Sequence, residues 1–153
     1  NSFSSGDFYN KQTQDEQHLK NILDFLPINA DMKILDLGTG SGYLSFPIAK
    51  KYSNISVIGL DIVEKALEVN RFRAKEEQIR NISFITYNGI EFPFSDSEFD
   101  MVISRYALHH FPDSAPYNPF YLHKVSLFCF LRASLFYFYN LTAFLICRVR
   151  CLS

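Results

Sequence analysis

The 153 residues carry a formal charge of −1, and 48% of them are apolar. That is the size of one domain with enough apolar material for a core, and the near balance of charge excludes a chain built to coat a nucleic-acid backbone. Three cysteines at irregular spacing, Cys129, Cys147 and Cys151, without histidines set out as ligands, argue against a disulfide framework and a zinc site, so a reducing, cytoplasmic setting is expected.

Residues 1–12 are polar with scattered aromatics (Phe3, Phe8, Tyr9) and are expected to form a loosely held arm. Thr13 and Glu16 have capping-box spacing, and Leu19, Ile22, Leu23 and Leu26 follow helical periodicity until Pro27 ends it. This start carries Asp7, Asp15 and Glu16 and no apolar stretch, so no secretory signal is visible.

Ile34 to Leu37 reads as a strand buried on both faces, and it breaks into Gly38-Thr39-Gly40-Ser41-Gly42. Glycines at the carboxyl end of a strand let the backbone turn sharply with no Cβ in the way of a ligand. From Tyr43 the pattern becomes helical, which makes a strand-to-helix turn of the kind that binds nucleotide-like cofactors. If that helix begins near Gly42, Pro47 falls just beyond its first turn and should bend it.

Ser56 to Ile62 gives a second apolar strand that ends on Asp61, about 20 positions past the glycines. A carboxylate there accepts charge-assisted hydrogen bonds from both hydroxyls of a ribose. Residues 64–79 form a helical pattern with Ala66, Leu67, Asn70, Ala74 and Ile79 inward and charges outward. Ile82 to Tyr87 is a third strand, followed by Asn88-Gly89 and Phe92-Pro93-Phe94. Phe99 to Ser104 is a fourth strand, and Arg105 to Phe111 a short helix. Strands alternating with helices predict an α/β fold, a Rossmann-like parallel sheet of order 3-2-1-4 with helices on both faces.

The glycines read Gly-x-Gly-x-Gly, with Tyr43 where a dinucleotide fingerprint has its third glycine and Asp36 two residues before the first. This resembles motif I of class I S-adenosylmethionine (SAM)-dependent methyltransferases. The order of landmarks from there through Phe111 is similar to the small-molecule enzymes of that family, which include those of ubiquinone and menaquinone biosynthesis. The resemblance implies SAM as cofactor and a small-molecule methyl acceptor, with no nucleic acid as partner. It implies that Gly38, Thr39, Gly40 and Gly42 let the backbone approach the methionine part, that Asp36 orients that end, and that Asp61 and Ile62 meet the ribose side. Asn88, Gly89 and Ile90 would meet the adenine. The family usually has Asp at the place of Asn88, and an uncharged amide oxygen makes a weaker acceptor. Arg105 would line the cleft, His109 and His110 are the candidate general bases, and Tyr9 would touch cofactor or substrate unless it merely anchors the arm.

The resemblance fades after Asp113. Residues 1–113 hold all 16 acidic and 11 of the 15 basic residues, whereas 114–153 contain no acid and every cysteine. Residues 1–113 are therefore taken as the methyltransferase-like domain and 114–153 as a divergent apolar tail with no independent domain. From Leu127 to Cys147 the tail is apolar all round, which suggests a buried helix, with a bilayer contact disfavoured by Arg132. A truncation or frame slip after about residue 113, a divergent covering segment and a membrane anchor are the competing readings, in that order. The first leaves the fold without its last strands and the fourth strand with an unpaired edge. The sequence thus points to a small-molecule methyltransferase whose own turnover is open. The alternatives are an inactive SAM-binding remnant and a domain that binds NAD.

Overall fold

The structure is a computed structural model that describes residues 5–95, 98–105, 137–139 and 142–148, with side chains for 15–95 and 98–105. Helix α1 (Ser5–Phe25) leads into strand β1 (Lys33–Leu37). Helix α2 (Ser45–Lys51), strand β2 (Ser56–Asp61), helix α3 (Glu64–Glu76) and strands β3 (Ile82–Thr86) and β4 (Met101–Arg105) follow. β1 pairs in parallel with β2 on one side and β4 on the other, and β2 pairs in parallel with β3. The order β3-β2-β1-β4 is the one expected from the alternation of strands and helices.

β1 lies at the centre because its sequence allows nothing else. Ile34, Leu35, Asp36 and Leu37 are all buried, and alternate residues face opposite layers. Ile34, Val57, Met101 and Ile103 pack on one side with Ile22 of α1, with Leu26 just after it and with Ile48 and Ala49 of α2. Leu67 and Ala74 of α3 close onto Phe46 and Phe84. Leu35, Leu37, Ile58, Leu60 and Val102 form the second layer, where Phe92 and Phe99 supply the cover. Each such fully buried side chain is worth about 1.5–3 kcal/mol, so these layers position the strand ends that carry the site. Among the described residues the second face is therefore closed by aromatics of the loop between β3 and β4.

Three further expectations change. α1 starts at Ser5, so the arm is helical for most of its length and Thr13 lies inside the helix, not at its cap. No proline or glycine interrupts the chain from Asp7 to Leu26, and its Lys, Gln and Glu residues are good helix formers. α2 is counted from Ser45, so Pro47 is in the first turn and not beyond it. The bonds on either side of it, Phe46 N–H to the Gly42 carbonyl and Ile48 N–H to the Leu44 carbonyl, are both made at 3.1 Å. Pro47 therefore leaves out a single amide donor between two bonds that are made, and the turn continues past it.

The largest change is in the tail. Tyr137–Tyr139 (β5) and Thr142–Arg148 (β6) are strands and not part of a helix. β6 runs antiparallel to β4, from Met101 opposite Arg148 to Arg105 opposite Phe144, and β5 pairs antiparallel with β6. β4 therefore has a neighbour where an unpaired edge was expected, and the sheet continues past its fourth strand. A run of apolar residues without period suits a buried strand as well as a helix, and Thr, Phe, Ile and Tyr favour the strand. Open N–H and C=O groups along β4 supply the template. Among the described residues no helix is long and apolar enough to cross a membrane.

Candidate functional site

The carboxyl ends of β1 and β2 and the turns that leave them surround a cavity of about 980 Å³, which is within the size range of cofactor sites. The loop after β1 is pinned first by the sheet. The amides of Gly38 and Thr39 both donate to the Leu60 carbonyl, at 2.8 and 3.1 Å, and the Gly42 amide closes a turn on the Thr39 carbonyl at 2.8 Å. Gly38, Gly40 and Gly42 all have positive φ, a region that side chains rarely occupy. The two later glycines differ in what surrounds them. A Cβ on Gly40 would meet nothing within 4 Å, whereas one on Gly42 would stand 2.6 Å from the Phe46 ring. Gly40 thus leaves open space at the cavity, and Gly42 makes room for the core.

Asp61 is the residue that joins the two strand ends. Its Oδ2 accepts from the Gly40 amide at 2.8 Å and its Oδ1 from the Val63 amide at 3.1 Å. Each oxygen keeps a lone pair for a hydroxyl in the cavity. Asn70 of α3, only 2% exposed, donates from Nδ2 to the Gly40 carbonyl at 2.7 Å. The Gly40 residue is therefore held through its amide by β2 and through its carbonyl by α3.

Asp36 lines the same cavity but is buried deeper, at 2% exposure. Its Oδ2 accepts from the Ser45 hydroxyl at 2.6 Å and the Thr39 hydroxyl at 2.9 Å, and those two hydroxyl oxygens are themselves 2.9 Å apart. Burial pushes its carboxyl up to about 6, against the opposing pull of the hydrogen bonds from Ser45 and Thr39. Three oxygens share only two hydroxyl protons while Asp36 is ionised, and a third proton completes the ring. The first consequence is mechanical: Asp36 ties the loop (Thr39) to the start of α2 (Ser45).

Of the residues singled out from the sequence, Asp36, Gly38, Thr39, Gly40, Asp61, Ile62, Gly89 and Arg105 line this one cavity. Arg105 reaches it from the end of β4, with its guanidinium 4.0 Å above the ring of Tyr43, another lining residue. Gly42 and Asn88 are not in the lining. The exposed Asn88 folds its Oδ1 back onto the amides of Ile90 and Glu91, at 2.9 and 2.8 Å, so the oxygen expected to receive an adenine is already engaged. Ile90 is exposed at the surface. His109 and His110 lie outside the described residues, and so does the side chain of Tyr9. Sequence reasoning missed Asn70, Tyr43 and Arg73 as cavity residues. An amide among the apolar inward positions of α3 was the one available signal for Asn70.

Comparison with known proteins bears on what this cavity holds. The family model described as "Methyltransferase domain" matches residues 28–118, from before β1 to beyond β4. The demethylmenaquinone methyltransferase of Lactococcus lactis is 37% identical over 83 residues, which are 54% of this chain and 33% of that protein. The release factor glutamine methyltransferase of Aliivibrio fischeri is 39% identical over 84 residues, 54% of this chain and 29% of that protein. The crystal structure of YcgJ from Bacillus subtilis superposes with a TM-score of 0.58 at 28% identity, over 65% of this chain and 42% of that one. The chain spans about a third of the length of the curated relatives it matches. The match through all four parallel strands, with the glycine loop and Asp61 at its centre, places this chain in the methyltransferase-domain family of class I SAM-dependent enzymes.

Proposed function

We propose that the protein binds SAM over the loop from Gly38 to Gly42 and transfers its methyl group to a small-molecule acceptor, of the quinone class that its Lactococcus relative is named for. The observation that carries the reading is the meeting of Asp61 with Gly40 at the ends of adjacent parallel strands, 2.8 Å apart and open to the cavity. The residues present fit the cofactor: a carboxylate with free lone pairs for a ribose, an unobstructed glycine backbone, and room in the cavity for a nucleoside.

SAM brings its methyl already activated on a sulfonium, so the protein needs no nucleophile of its own and contributes position and orientation. Asp61 holds the sugar, Gly38 to Gly40 accommodate the backbone approach, and Asp36 keeps the loop in shape through Thr39 and Ser45. Arg105, stacked on Tyr43, faces the cavity from β4. His109 and His110, which follow β4 in the sequence, are the general bases on this reading.

Equilibrium binding of SAM against NAD to the full chain tests the cofactor. Tighter binding of SAM is expected, and a preference for NAD overturns the proposal. A methyl-transfer assay that reads the adenosylhomocysteine product then separates turnover from binding alone. A chain that binds SAM and releases no product with any quinone precursor would be a binding remnant.

A further inference from the structure

We propose that Asn70 is a positioning residue for the cofactor: its amide is the second anchor of Gly40 and keeps the glycine loop in its binding shape while Asp61 takes up the ribose. The inference rests on SAM binding at this loop. Asp61 has two tasks that draw on the same two oxygens. Its oxygens already accept the amides of Gly40 and Val63, and a ribose adds two hydroxyl donors to the same carboxylate. Any lengthening of the bond from Gly40 to Asp61 as the sugar arrives would let the loop relax if that bond were its only restraint at this point.

Asn70 removes that dependence. It donates to the carbonyl of the same glycine from a different element, at 2.7 Å. Packing alone does not account for its position, because Leu67 and Ala74 on the same helix already make the apolar contact with Phe46 and Phe84. A buried amide is costly unless it finds a partner, and this one finds the loop. Its nitrogen also lies 3.7 Å from where a Cβ on Gly42 would stand, so the side chain spans the gap between the two glycines that bracket Ser41. A hydrophobic side chain of similar size would fill the space and leave the Gly40 carbonyl without that donor.

Two substitutions separate positioning from bulk. Asn70→Ala removes the donor, and Asn70→Asp keeps the size but presents a carboxylate to a carbonyl oxygen. The ionisable groups that line the cavity with residue 70 are Asp36 on β1, Asp61 on β2, Arg73 on α3 and Arg105 on β4, with the phenols of Tyr43 and Tyr87. Since these groups are present in every variant, the Asp variant is read as a ratio to the Ala variant at each pH.

Calorimetry of the full chain with SAM should give about tenfold weaker binding for Asn70→Ala at pH 7.5, the effect of one buried carbonyl losing its donor. Asn70→Asp should be weaker still at pH 7.5 and should recover relative to Asn70→Ala toward pH 5, because burial at this position favours the protonated carboxyl, which donates to the same oxygen. In the ligand-free chain, hydrogen exchange at the Gly40 and Gly42 amides should quicken in Asn70→Ala while the β1 and β2 amides stay protected. Unchanged exchange at those two amides, or an Asp variant that tracks the Ala variant at every pH, overturns the positioning role. Failure of the unsubstituted chain to bind SAM would instead bring down the functional reading, and the exchange measurement still decides whether Asn70 anchors the loop.

Discussion

The ends of β1 and β2 carry the same residue, an aspartate, and use it in opposite ways. Asp36 is buried against two hydroxyls that belong to the loop and to α2, and burial dominates its chemistry. Asp61 is only part-buried, accepts from two backbone amides and keeps lone pairs facing the cavity. The difference follows from depth. A carboxylate inside the layer can hold structure together but resists ionising, whereas one at the rim keeps its oxygens within reach of a ligand.

Replacing each acid should show the contrast most strongly. Asp61→Ala removes the carboxylate that would receive two ribose hydroxyls, each charge-assisted bond being worth about 1.5–3 kcal/mol. Affinity for SAM should fall on the order of a thousandfold in calorimetry. Undiminished affinity would end the assignment of the ribose to Asp61.

Asp36 should act on stability through pH. Its folded pKa, about 6, is raised above the ordinary carboxylate value. Between roughly pH 4 and 6 the folded chain therefore holds a proton that the unfolded chain has released, and stability falls as pH rises through that window. The full shift corresponds to roughly 3 kcal/mol. Asn in place of Asp36 keeps an oxygen for the hydroxyls and removes the titration. Urea unfolding at a series of pH values should show Asp36→Asn gaining on the unsubstituted chain as pH increases from 4 to 7. A constant difference would contradict the raised pKa.

The two later glycines of the loop sharpen the same distinction between structure and ligand. Gly42→Ala forces a Cβ into the Phe46 ring and strains a positive φ, which should cost about 2 kcal/mol of stability. Gly40→Ala meets no neighbour, so it should lose only about 1 kcal/mol to backbone strain while weakening SAM binding by occupying open space at the cavity. Thermal unfolding and calorimetry on both variants would expose a reversal.

The smallest effect belongs to the opposite end of the sheet. Lys33 pairs with Glu98 there, and its backbone amide donates to Asp100 at 2.8 Å. Both partners of the ion pair are about one-third exposed, so Lys33→Ala should cost under about 1 kcal/mol and leave SAM affinity unchanged. A change in affinity would mean that the two ends of β1 are coupled.

How much of this was legible in the chain depended on the range of the interaction. The glycine loop, Asp61 and the parallel order could be read because strand, turn and acid follow one another within one βαβ unit. The fate of Asn88 could not, since its type permits an adenine contact and only the local fold turns its oxygen onto Ile90 and Glu91. The helix expected between Leu127 and Cys147 failed where β5 and β6 lie because an unbroken apolar run has no period to separate the two conformations. What chose the strand at Thr142–Arg148 was the partner beside it, β4.

The sequence by itself determined which residues form β1 to β4, where the chain must turn without a Cβ, and which acid ends the second strand. These are local properties of side-chain period, glycine backbone freedom and spacing. Only the tertiary structure decided that Asp36 is sunk and Asp61 left at the rim, and that an amide 30 positions further on holds the carbonyl of Gly40. Those outcomes depend on how α2 and α3 pack across strands remote in sequence, and burial and hydrogen-bond partners come into being only when the layers close.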